Sequence, residues 1–246
     1  MIKKLLIFIV LFIGLSEMAY AKTIQLNYKA TFGIFGTVGT IKNRLTHNAR
    51  TYTIVTKVKL AGLAKVLMGG QVEEYVSRGH MENGLMISDK YTMTSTKKGK
   101  VVKKEYTINH KKKYVRKRYR KWIKGKLLKD KTEKLNFYAK DDLLTLYFNL
   151  GNAVKEKGKT YVFKAVGLEK QQGKVHITIP SDTKNTSYKK DLGSGAALYA
   201  KALIHQKNFR KKKGDILLAI GHDGFIKKSV IKDVLMYGDA KLIRTK

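Results

Sequence analysis

Residues 109–131, "NHKKKYVRKRYRKWIKGKLLKDK", carry twelve lysines and arginines against one acid, with Tyr114, Tyr119 and Trp122 set among them. Guanidinium and ammonium groups pair with phosphate and carboxylate oxygens, and aromatic faces add stacking and cation–π contacts, so the stretch has the chemistry to grip a polyanion. As a strand it would present Arg116, Arg118, Arg120 and Trp122 with Tyr114 on one side. As a helix it would gather Val115, Tyr119, Trp122 and Ile123 into a basic amphipathic face suited to a membrane surface. The preceding "VVKKEYTINH" and the following Gly125 read as a hairpin arm and its turn, which favours the strand. Arg116, Arg118, Arg120 and Trp122 are therefore the candidate anion-binding residues. The competing reading is that these cations shield an exposed sheet edge from aggregation.

Other residue types that could do chemistry are not arranged for it. The histidines, at 47, 80, 110, 176, 205 and 222, are scattered, with no His-x-His or His-Glu-x-x-His spacing to seat a metal. Glu73 and Glu74 are neighbours in a strand-like run and so point to opposite faces, where they cannot share one substrate. "GIFGTVG" at 33–39 has the glycine density of a phosphate cradle but no following Lys-Ser/Thr and no helix, so a tight turn or bulge is expected. "GSG" at 193–195 lacks the spacing of a nucleophile elbow. No catalytic residue, no metal and no cofactor are expected, and the chain reads as a non-enzyme.

The elements behind these residues alternate with period two. Ile24, Leu26, Tyr28, Ala30 and Phe32 interleave with polar partners, as do Tyr52, Ile54, Thr56, Val58 and Leu60. Similar runs occur at 72–76, 85–93, 101–108, 160–166, 175–179, 216–220, 225–235 and 237–243. Asp223-Gly224 has the composition of a tight hairpin turn, and Asn83-Gly84 resembles it. One segment breaks the rhythm: in "AKDDLLTLYFNLG", Asp141 or Asp142 can cap a helix, Leu143, Leu146, Tyr147 and Leu150 recur at helical spacing, and Gly151 fits a C-terminal cap. A second short helix is expected at 60–67, while 196–202 is ambiguous. The fold class is mostly β: a strongly curved antiparallel sheet or partly open β-barrel with one or two short packing helices. Tyr28, Phe32, Tyr147 and Phe148 are the candidate apolar lining of a concave ligand site, if the interior is not filled by its own side chains.

Residues 1–21 have a basic start at Lys3 and Lys4, an apolar run from Leu5 to Leu15 and Ala19-Tyr20-Ala21, the pattern of a cleaved secretory signal. Residues 22–246 then form a single domain, with only Pro180 and no linker interrupting it. The absence of cysteine excludes disulfides, thiolate metal sites and lipid attachment through an N-terminal Cys. Loss of Lys3, Lys4 and Glu17 leaves 50 basic against 17 acidic side chains, a net +33. Such a charge draws the protein to anionic surfaces at low salt. In a bacterial periplasm those are headgroups, lipopolysaccharide phosphates and acidic glycans; nucleic acid is not an expected partner there.

Taken together, "YKATFGIFGTVGT", "ENGLMISDKYT", "DDLLTLYFNL" and "IGHDGFIKKSVIKDVLMYGDAKL" resemble the spaced glycines, Gly-x-Leu segment, Asp-x-Leu-Ser-x-Leu-Tyr helix and closing Asp-Gly hairpin of a bacterial envelope family, domain of unknown function 3108. The resemblance spans nearly all of residues 22–246. It departs at Thr145, where Ser is usual, at Asn149, near a common Arg, and at Ile87 and Ile226, near common prolines, so it carries no polar site onto those positions. It implies a periplasmic, mostly antiparallel β protein with no assigned activity. The expected function is a non-enzymatic carrier of a lipid-like or amphipathic envelope component, its basic surface meeting anionic headgroups or glycans. Peripheral membrane contact is compatible with that role. The alternative is an envelope assembly protein that binds a protein partner and has no small-molecule pocket.

Overall fold

The alternating runs become strands because each places its apolar residues on one face, where they can be buried together. A computed structural model describes residues 20–67, 69–168, 171–182, 185–204, 214–232 and 239–245. The first half runs β1 (Lys22–Phe32), β2 (Thr37–His47), β3 (Thr51–Leu60), α1 (Gly62–Leu67), β4 (Val72–Glu82), β5 (Leu85–Lys97), β6 (Lys100–Asn109), β7 (Tyr114–Ile123) and β8 (Lys126–Lys134). The second runs β9 (Asp141–Asp142), α2 (Leu143–Ala153), β10 (Thr160–Val166), β11 (Lys174–Thr178), α3 (Asn185–Leu192), β12 (Leu198–Ile204), β13 (Gly214–Ile220), β14 (Ile226–Ile231) and β15 (Ala240–Arg244). Among the described residues they form one sheet in the order β8-β7-β6-β5-β4-β3-β2-β1-β15-β14-β13-β12-β11-β10-β9. Neighbours pair antiparallel except β9 and β10, which pair parallel through Ala165–Asp141 and Val166–Asp142.

The sheet curls without closing into a barrel. Its β9 end returns to β5, the fourth strand from the other end, where Ser88 N–H donates to Lys140 O at 3.0 Å. β6 pairs with β5 only from Lys90 onward. Strands β6–β8 therefore continue past the seam as an arm. The hairpins of the arm turn at Lys98-Gly99 and Lys124-Gly125, and β4–β5 turns at Asn83-Gly84. All six of these residues have positive φ, as two-residue turns matched to strand twist require. The expected tight turn at Asp223-Gly224 is instead a five-residue connection between β13 and β14, in which only Gly224 has positive φ. "GIFGTVG" is a 3₁₀ turn beside a bulge at Ala30/Thr31.

α2 lies inside the curl and touches both halves. Leu146 and Leu150 pack with Val175, Ile177, Leu218 and Ile220, while Phe148 packs with Leu26, Tyr28, Tyr52 and Ile54. α3, which has no clear apolar period in the sequence, covers the opposite face of β12–β14 through Tyr188 and Leu192, against Tyr199, Leu217 and Val230. Burial on both faces explains why "ILLAI" reads as a continuous apolar run and why 196–202 was ambiguous. β8 has little alternation because most of it is exposed. Residues 1–19, 205–213 and 233–238 lie outside the described residues, and with them most of the expected signal segment and part of the runs at 225–235 and 237–243.

Gly151 is not the C-terminal cap its position suggests. α2 runs on to Ala153, and Val154 closes it with an N–H to Leu150 O bond of 3.1 Å. Gly151 is needed for contact: a Cβ there would stand 2.7 Å from Gly224 Cα and closer still to Gly224 O. Ala ordinarily improves a helix interior by about 1 kcal/mol over Gly. Gly151→Ala is expected to reverse that sign, costing about 2 kcal/mol through overpacking of helix against turn backbone. Urea unfolding of the two proteins measures it; an Ala variant as stable as wild type would show that the turn yields freely.

Candidate functional site

β7 is a strand, and register places its arginines on the face turned away from the core. Arg116 lies opposite Thr107, Arg118 opposite Glu105 and Thr132, and Arg120 opposite Lys103 and Asp130. Arg118 makes a fork to Asp130, Nε–Oδ1 at 2.8 Å and Nη2–Oδ2 at 2.5 Å. Arg120 binds Glu105 and lies over the Trp122 ring at 5.3 Å. Lys103 reaches the same Glu105 at 3.2 Å. Burial pushes the Glu105 carboxyl up, but hydrogen bonds from Arg120 and Lys103 outweigh it and hold the group below the usual range. The arginine fork does the same for Asp130.

The structure thus brings the four candidate anion-binding residues onto one face and commits two of them to acids that lie far from them in sequence. Arg116 has no ion pair among the described residues. With Lys90, Arg118, Thr107 and Thr132 it lines an open groove of about 510 Å³, in which Glu105 and Asp130 are the opposing acids.

The candidate apolar lining behaves differently. Tyr28 and Phe148 are buried, and Tyr28 Oη donates to Ile226 O at 2.8 Å. The Tyr147 ring meets Tyr28 edge-on at 6.5 Å and Phe148 at 5.5 Å, and Phe148 meets Phe225 at 5.8 Å. These three rings pack helix against sheet. Phe32 stacks on Phe35 at 5.8 Å, outside that cluster.

Beneath the helix lies a polar cluster that sequence reading did not assemble. Asp142 is fully buried and caps α2, its Oδ1 accepting from Leu144 N–H at 2.7 Å and Thr145 N–H at 3.0 Å. Its Oδ2 accepts from Ser77 Oγ at 2.5 Å and Thr145 Oγ1 at 2.8 Å. Tyr52 Oη joins Thr145 Oγ1 at 2.7 Å and Ser77 Oγ at 3.0 Å. Burial raises the Asp142 pKa despite these donors. Ser88 Oγ, also buried and near enough to favour the charged form, makes no well-formed hydrogen bond. Asn149 uses its amide like a strand residue, accepting from Met86 N–H at 3.1 Å and donating to Met86 O at 2.8 Å. It satisfies β5 where β6 has not yet joined.

A third group sits at the seam. His80 Nδ1 is 3.1 Å from both carboxylate oxygens of Asp89, and His110 Nε2 is 3.2 Å from Asp89 Oδ1. His110 also faces Ser88 O with Nε2 and Tyr138 Oη with Nδ1, each at 2.9 Å. Histidines thirty positions apart in the sequence stand with ring centroids 5.5 Å apart. Sequence spacing gives no sign of this pair, because a strand meander joins residues that no local spacing relates.

No family model matches the chain, and no curated protein does. The fold has a solved counterpart. A beta-barrel-like protein of domain of unknown function DUF1849 from Brucella abortus superposes with a TM-score of 0.51 at 8% identity, covering 90% of this chain and 95% of the other. At that identity the match speaks for the curved, barrel-like architecture alone; no residue role follows from it. The DUF1849 name is also distinct from the 3108 family that the sequence motifs resemble. Among the described residues no helix is long and apolar enough to cross a membrane.

Proposed function

We propose that this chain is an exported, non-enzymatic binding protein of a bacterial envelope, and that it engages phosphate-bearing headgroups or acidic glycans on the outer face of strands β5–β8. The carrying observation is the groove that sets Lys90, Arg116 and Arg118 side by side on a chain of net charge +34. We place binding at this outer face ahead of the enclosed-ligand reading, because the Tyr28, Tyr147 and Phe148 rings pack on one another between α2 and the sheet. The β8 edge favours a surface over a strand-adding partner: Lys126, Lys129, Lys131 and Lys134 line it, and charged edges oppose sheet addition.

Each Lys or Arg near an anionic surface contributes about 1 kcal/mol, fading within about 8 Å at physiological salt. The Lys90→Ser/Arg116→Ser/Arg118→Ser protein is therefore expected to bind vesicles containing phosphatidylglycerol about 100-fold more weakly than wild type, and neither should bind neutral phosphatidylcholine. Vesicle co-sedimentation measures this. The control changes exposed lysines outside the arm, Lys155, Lys189 and Lys190, to Ser. Equal losses in the two triple variants would reduce the interaction to net charge and remove the groove as its site.

A further inference from the structure

We propose that His80, Asp89 and His110 form a binding site for one divalent transition-metal ion of zinc-like preference, placed at the seam where the curled sheet meets itself. Two imidazoles and a carboxylate are a ligand set that zinc and its first-row neighbours accept, and one that leaves a further position open. One ligand atom from each residue lies within 4.8 Å of the others. The spacings of 3.1 Å and 3.2 Å from Asp89 to the two rings are close to the roughly 3.3 Å edge of a tetrahedron drawn with zinc bonds of about 2.0–2.1 Å. The three side chains are partly exposed, which gives an ion a path in and a solvent molecule the fourth position.

The backbone is built to put Asp89 there. In the β4–β5 ladder Arg78 pairs with Lys90 and Gly79 with Ser88, so Asp89 is the extra residue of a β-bulge. A bulge re-aims the side chain it carries. Gly79 makes this bulge feasible, since a Cβ at that position would collide with Ile87 O and stand 2.9 Å from the Tyr52 ring. The bulge also marks the point where β5 changes neighbours. Ser88 N–H reaches Lys140 O on one side of it, and Lys90 begins the pairing with β6 on the other.

A partner for the His110 ring is present as well, in Tyr138. His110 Nε2 faces both Asp89 and the Ser88 carbonyl, and without an ion its proton is shared with those acceptors. Coordination requires that lone pair. The ring can supply it by changing tautomer, moving its proton to Nδ1, where Tyr138 Oη stands 2.9 Å away as acceptor, with no net change in proton count. Tyr138 thus supports the ligating tautomer by accepting the proton on the ring nitrogen that faces away from the ion. An ion held by β4, by β5 and by the turn after β6, with Tyr138 bracing it from the segment before β9, would fasten the arm to the curled part of the sheet.

The test uses untagged residues 22–246, stripped with EDTA and titrated calorimetrically with Zn²⁺. One ion per chain at low-micromolar affinity or tighter is expected. His80→Asn/His110→Asn should abolish that event, and Tyr138→Phe should weaken it about tenfold. His222→Asn, in the β13–β14 turn, should leave it unchanged. Co²⁺ in place of Zn²⁺ should give visible absorption of low-symmetry coordination that disappears in the double variant. Circular dichroism of the metal-free proteins separates loss of ligands from loss of fold. A stripped protein that takes up no zinc, or a folded double variant that binds it as wild type does, overturns the proposal.

Discussion

Asp142→Ala is expected to lower the unfolding free energy by about 3 kcal/mol, a fall of roughly 6–12 °C in Tm for a domain of this size. Two contributions set the magnitude. Loss of an N-cap acceptor typically costs about 1 kcal/mol, and here the orphaned N–H groups of Leu144 and Thr145 lie at the start of the helix that fills the sheet. Removal of Oδ2 also takes the carboxylate acceptor from the buried Ser77 and Thr145 hydroxyls, leaving them only each other and Tyr52 Oη as partners, at about 1–3 kcal/mol. Opposing both is relief from burying a carboxyl whose pKa burial has raised. Asp142→Asn separates the terms. It keeps an oxygen for both N–H groups and gives up the charge, so it is expected within about 1 kcal/mol of wild type. Urea unfolding of the three proteins at pH 7 is the measurement. Ala and Asn variants of equal stability would show that the hydrogen-bond cluster is worth little beyond its charge.

That cluster marks how far the sequence could be read. The helix cap was legible to within one residue, Asp141 or Asp142, because a cap is a local device, three residues from the N–H it serves. Its partner Ser77 was not, since sequence offers no reason to join position 77 to 142. The strands were legible wherever one face is dry and the other wet, as in β1 and β3. They were illegible in β8, which is wet on both faces, and ambiguous at β12, which is dry on both. The arginine face of β7 followed from period two, but its acids did not: Glu105 and Asp130 come from flanking strands whose register depends on the turns at Lys124-Gly125 and residues 110–113. Asp89 shows the same limit more sharply. A single inserted residue changes where the side chain points, and the composition of β5 carries no mark of it. Gly79 was the one available signal, a glycine inside a strand, which often denotes a bulge or a close approach of backbones.

Asp141→Asn is expected to stabilise the protein, and to do so only above mildly acidic pH. Burial pushes the Asp141 carboxyl up to about 6 from the usual 3.8, with the neighbouring Lys140 lowering it and Asp142 raising it by smaller amounts. A carboxyl whose pKa is higher in the folded chain than in the unfolded one favours folding when protonated. Its contribution is therefore intact below about pH 4 and is lost as pH rises through 6, leaving a cost of about 3 kcal/mol at pH 7, an upper bound where the chain relaxes around the charge. Asn retains the shape at β9 and cannot ionise. The stability difference, variant minus wild type, should be near zero at pH 4, climb between pH 4 and 6, and level off at about 2–3 kcal/mol by pH 7. Glu105, Asp130 and Glu133 have lowered pKa values and act in the opposite sense, withdrawing stability as pH falls, but they do so in both proteins and cancel in the difference. Chemical denaturation at half-unit steps from pH 4 to 7.5 reads the curve. A difference that stays flat across that range, or one that favours wild type at neutral pH, would mean that the parallel β9–β10 pairing holds Asp141 in a more solvated setting than its burial requires.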